Sequence, residues 1–120
     1  MLHTYTVALW YLTRYEKQQA IDLIRQGIQR YNAVMNIQTT PTSGYHETLT
    51  LFWIFMVELY LSTCDSNTPL VQLSNKLIHT FKDKNLPEEY YSEDLIMSWD
   101  ARVRWVNPDL KPLDVFIMDI

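Results

Sequence analysis

Apolar residues recur every three to four positions along most of the chain, a period that predicts helices rather than strands. Val7, then Trp10 or Tyr11, then Tyr15 mark a first helix over residues 4–14. Ala20, Ile24, Gly27, Ile28, Tyr31 and Val34 form the clearest stripe, on a second helix over residues 17–35 whose opposite face carries Gln19, Asp22, Gln26, Gln29 and Arg30. Gly27 lies on that stripe despite a helix cost of about 1 kcal/mol relative to alanine, which predicts close approach of another helix backbone. Residues 37–44 break the period with threonines, Pro41, Ser43 and Gly44.

A third helix, from about Tyr45 to Leu61, is apolar nearly all round, and a helix without a wet face belongs in the middle of a bundle. Thr68 as N-cap and Pro69 at the first helical position open a fourth helix over residues 69–82, burying Leu70, Leu73, Leu77 and Phe81. Ser92 before two acids, and Ser98 before Asp100, are N-cap patterns for one or two short helices. Pro108 and Pro112 then exclude regular helix, so an extended tail over residues 107–120 is expected. The fold class that follows is all-α. It is one compact irregular bundle of five or six helices around a buried central helix, forming a single domain over residues 1–120. Spacings in the first two helices are similar to one tetratricopeptide unit, but no second unit follows 34 residues later.

Composition narrows the functional classes. The chain has 120 residues, 48% of them hydrophobic, which is enough to bury a core and argues against disorder. A net charge of -4 argues against nucleic acid, whose phosphates select basic surfaces. Nine acidic against four basic side chains from Asp83 onward place the negative charge in the C-terminal third, where helix first turns account for much of it. The one cysteine, Cys64, has no intrachain partner, and no signal sequence opens the chain, so a cytoplasmic protein is expected. The most apolar run, residues 49–61, contains Glu58 and is too short to span a bilayer, so no membrane association is expected.

Much familiar chemistry is absent. Two glycines cannot make a phosphate loop, and His3, His46 and His79 include no pair at metal-ligand spacing, so no metal site is assigned. The densest polar cluster is Tyr45-His46-Glu47-Thr48, where an imidazole and a carboxylate enter an apolar helix and therefore need partners or a cavity. With Gly44 as N-cap, Glu47 would take the third helical position and cap the backbone. Alternatively His46 and Glu47 form a catalytic pair that transfers a proton. Arg102 or Arg104 would turn inward as the counter-charge of Glu47 or Glu58.

Four blocks taken together resemble an uncharacterised family of small helical bacterial proteins. They are Val7 to Leu12, Gly27 to Asn32, Gly44 to Thr50, and the region from Tyr90 to Leu113. The most specific are Tyr45-His46-Glu47-Thr48 and the closing Pro108-Asp109-Leu110-Lys111-Pro112-Leu113. The resemblance implies a helical fold and brings no activity or cofactor with it. Members carry a histidine-leucine pair on the first helix. Here Thr4 stands at that histidine's place, with His3 one position earlier, which weakens any metal role shared with His46.

The leading functional expectation is small-molecule binding in a polar pocket at the start of the central helix. His46 and Glu47 would move a proton, Arg102 would hold an anionic group of the ligand, and Tyr45, Trp10 and Trp99 would form the walls. The alternative is a non-catalytic protein-protein interaction module whose polar cluster is structural. In that version the apolar segment Val115 to Met118 would reach a second copy to form a homodimer.

Overall fold

A computed structural model describes residues 4–65, 67–82 and 85–113. The chain is all-helical and compact, with seven helices and no regular strand among the described residues. They are α1 (Thr4–Leu12), α2 (Lys17–Val34), α3 (Glu47–Ser62), α4 (Leu70–Phe81), α5 (Leu86–Tyr90), α6 (Glu93–Ile96) and α7 (Trp99–Val103). The helix beyond the expected six is α5. Pro87 sits in its first turn, where the missing N–H costs nothing, so the proline is compatible with a helix start.

The central position of α3 follows from its sequence. Thr48 and every residue from Thr50 to Val57 are buried, so all faces of its first two and a half turns need cover. α1 supplies one side, α7 and α2 others, and α4 lies against α1 while sending Phe81 between Trp53 and Tyr60. From the C-terminal arm, Tyr91 packs edge-on to Phe52 and Trp105 packs edge-on to Phe55 at 5.1 Å. Leu113, the last described residue, is buried too. The expected tail contact at Val115 to Met118 lies outside the described residues, as does His3.

Three expectations need correction. The apolar stripe of α2 leaves the core before its end: Ala20, Ile21 and Ile24 are buried, but Val34 is 78% exposed. α1 has nine residues, about 14 Å of helix, against about 27 Å for the eighteen of α2, so it covers only part of its partner. Gly27 meets no close backbone either. A Cβ there would have only the Tyr11 hydroxyl within 4 Å, at 3.9 Å, an ordinary contact. Third, Pro69 is itself the N-cap residue of α4, with no side-chain cap, rather than its first helical residue.

Candidate functional site

Gly44 is not the N-cap of α3 but the hinge before it. Its φ of +91° is a conformation that side chains disfavour, and a Cβ would lie 2.6 Å from the backbone of both Gln38 and Thr39. The turn it makes delivers His46 to the N-cap position and Glu47 to the first helical position. The four motif side chains then go to three places, Tyr45 and Glu47 meeting each other.

His46 Nδ1 accepts the backbone N–H of Leu49 at 3.1 Å, and Nε2 faces the carbonyl oxygen of Ile96 at 2.7 Å. A carbonyl can only accept, so Nε2 carries the hydrogen and the ring is the neutral Nε2–H tautomer. Both nitrogens are therefore engaged. Burial lowers the imidazole below its ordinary pKa, and the positive charge of Arg102 adds to this, against the opposing hydrogen bond to Ile96. Thr48 is fully buried. Its hydroxyl donates to the Arg104 carbonyl at 2.8 Å and accepts from the Val106 N–H at 3.2 Å, pairing the C-terminal arm as a neighbouring strand would.

Glu47 is held by Arg25 of α2, which donates from Nε to Oε1 at 3.2 Å and from Nη2 to Oε2 at 2.8 Å. This is the bidentate fork that arginine geometry favours. The Tyr45 hydroxyl donates to Glu47 Oε1 at 2.5 Å, and burial, with that carboxylate beside it, raises the phenol well above its usual range. Arg25, rather than Arg102 or Arg104, supplies the counter-charge of Glu47. Its position on α2 is between Ile21 and Ile28, one turn from each, so its stem runs along apolar surface to a charged end. The signal that could have found it is that spacing, since a long cation on the edge of an apolar stripe can reach a neighbouring helix.

Arg102 is inward and buried, as expected, but it is not the partner of Glu47 or Glu58. Its Nη1 donates to the carbonyls of Gly44 and Tyr45 at 3.2 and 3.3 Å, bolting α7 to the turn before α3. Glu58 pairs with Lys17 at 3.2 Å instead, and Arg104 is exposed and pairs with Asp100. The structure thus gathers Tyr45, His46, Glu47 and Arg102 around one helix start, and none of the four lines the cleft described below. Trp10 lies elsewhere, in a groove with Val7, Tyr11, Leu70 and Ser74, and its ring is covered by Arg14 at 4.1 Å. Trp99 is 49% exposed and lines none of the clefts described below.

The closing motif is equally structural. Asp109 accepts from the Ser92 N–H at 2.8 Å and from its hydroxyl at 2.6 Å, and these bonds hold its carboxyl below the usual range. The Leu110 N–H donates to Tyr90, and Lys111 lies 4.5 Å from the centre of the Tyr90 ring. The arm carrying Trp105 and Asn107 is thereby tied down on both sides.

That arm closes a cleft beside the Glu47 and Arg25 pair. The cleft has a volume of about 330 Å³, a floor of Ile21, Leu51, Phe55 and Trp105, and a rim of Gln18, Arg25 and Asn107. Leu51 is one turn along α3 from Glu47, so the cleft begins where the polar cluster ends. Among the described residues no group of three or more histidine, cysteine, aspartate or glutamate side chains could hold a metal ion. Nor is any helix there long and apolar enough to cross a membrane. No family model, curated protein or solved structure matches the chain.

Proposed function

We propose that this protein binds a small molecule in the cleft between α2, α3 and the C-terminal arm, and that His46 and Glu47 build the site without moving protons. The observation that carries this is the double use of Arg25. Its Nε and Nη2 are spent on Glu47, which fixes the guanidinium plane, while Nη1 lies 3.6 Å from Asp22 Oδ1, makes no hydrogen bond among the described residues, and belongs to a residue that lines the cleft. A polar group held rigid at the edge of an apolar floor is the usual construction of a ligand site. His46 is a poor proton carrier in this setting, because protonation at Nδ1 would break the α3 cap and burial opposes it. Free Cys64 fits a cytoplasmic protein.

The test is a ligand-observed NMR screen with small aromatic compounds of positive, negative and zero charge, run on the full chain and on Gln18→Trp. An indole at position 18 covers the mouth of the cleft from an exposed position. Binders should lose contact with the Gln18→Trp protein while its Tm is retained. Equal binding to both proteins overturns the proposal.

A second function, contact with another protein or a second copy, is favoured by one observation. Tyr31, Val34, Met35 and Ile37 are all exposed where α2 outruns α1. Light scattering that gives a dimer for the native chain and a monomer for Val34→Glu would support it, and a monomer in both would remove it.

A further inference from the structure

We infer that the cleft selects an uncharged planar ring bearing a carboxamide or lactam edge, and that the arginine in its wall serves as a hydrogen-bond donor rather than as a counter-charge. This rests on the proposal that the cleft is a ligand site, and it names the ligand class.

Charge is the first argument. Arg25 lies between two carboxylates, Glu47 at 2.8 Å and Asp22 at 3.6 Å. One positive charge is already answered twice, so no net attraction is left for a carboxylate or phosphate. A cationic ligand would have to sit against the guanidinium. The three groups sum to −1, but neither carboxylate lines the cleft, so the charge a cation would meet there is the guanidinium.

The second argument is the hydrogen-bonding capacity left over. Trp105 Nε1–H can only donate, and it donates to Asn107 Oδ1 at 3.0 Å, which fixes the amide orientation and leaves Asn107 Nδ2 as a donor with no partner among the described residues. Gln18 Nε2 donates to Asp22 at 3.4 Å, leaving its Oε1 as an acceptor. The rim therefore offers a donor at Asn107 Nδ2, an acceptor at Gln18, and at Arg25 the one Nη1 N–H that is not turned to Asp22. A carbonyl with an adjacent N–H satisfies both kinds; a carboxylate satisfies only the donors, and an ammonium only the acceptor.

The third argument is shape. Phe55 and Trp105 meet edge to face at 5.1 Å, and with Ile21 and Leu51 they give an apolar floor suited to a flat ring. At about 330 Å³ the cleft is at the small end of ligand sites, which fits one or two fused rings.

Benzamide, benzoate and benzylamine share one ring and differ in charge and edge. Each would be titrated into the native chain by NMR, following the Trp105 indole N–H, assigned with Trp105→Phe. Benzamide should bind about tenfold more tightly than either ion, a gap the size of one hydrogen bond to a charged donor. Asn107→Ala and Gln18→Ala, both at exposed positions, should each weaken benzamide about fivefold while leaving Tm unchanged. If benzoate or benzylamine binds most tightly, the ligand class is wrong while the cleft stands as a binding site. If none of the three shifts the Trp105 signal, the cleft itself is overturned. If benzamide shifts it equally in both alanine variants, the assigned edge is refuted.

Discussion

The two ends of α3 are held by different means. At its start, side chains reach residues far away in sequence: His46 meets Ile96, Glu47 meets Arg25, and Thr48 meets Arg104 and Val106. At its end the polar contacts are mostly local. Ser62 donates to the Leu59 carbonyl and Thr63 to that of Tyr60, and one partly exposed ion pair joins Glu58 to Lys17. The first end orients the whole C-terminal arm, and with it two residues of the cleft wall. Among the described residues the second end reaches other helices by two polar contacts only, Glu58 to Lys17 of α2 and the Tyr60 hydroxyl donating to the Leu73 carbonyl of α4 at 3.2 Å. Polar groups that enter a core cost free energy unless satisfied, so a cluster partnered at nearly every buried atom, Arg102 Nε excepted, specifies one arrangement of distant segments, whereas exposed local bonds specify little.

The contrast can be broken most severely at the hinge. Gly44→Ala adds a Cβ at positive φ and within 2.6 Å of backbone, so a loss of about 2–4 kcal/mol is expected in urea unfolding. A loss below about 1 kcal/mol would show that the 38–44 turn is free to rearrange. Thr48→Val keeps the shape but removes both hydrogen bonds to the arm, for an expected loss of about 2–3 kcal/mol. Thr48→Ser should recover most of that, which separates the hydroxyl from its methyl group.

Acid should act on the same end. The folded-state pKa of His46 lies below its unfolded value of about 6.5, so the unfolded chain binds the proton first. The contribution of His46 is thus fully present above about pH 6.5 and declines as pH falls from there toward the lower folded value. His46→Asn retains an N-cap oxygen and should flatten the stability profile over that interval. Asp109, with its lowered pKa, acts in a lower window: its contribution holds above about pH 4 and is lost below it. A profile for His46→Asn with the same slope as the native chain between pH 6.5 and 5 would assign the loss to another group. At the opposite end, Lys17→Met removes a partly exposed ion pair and should cost about 0.5 kcal/mol. A loss as large as that of Thr48→Val would erase the distinction between the ends.

Periodicity and local chemistry determined a good deal by themselves. The four long helices, the central place of α3 and the N-caps at Ser92 and Ser98 all depend on neighbours a few residues apart, so one stretch of sequence contains the whole interaction. That Arg102 or Arg104 turns inward was legible in the same way, from apolar surroundings, and the fold decided that it is Arg102. Which groups meet across the molecule was not legible. Arg25 and Glu47 are 22 residues apart and His46 and Ile96 are 50 apart, and no local spacing encodes either meeting. The structure decided that Arg25 answers Glu47, that Arg102 holds two carbonyls, and that the tryptophan walling the cleft beside Arg25 is Trp105 rather than Trp10 or Trp99. Those choices depend on how helices of unequal length pack around one buried rod, and packing is set by the shapes of all the faces at once.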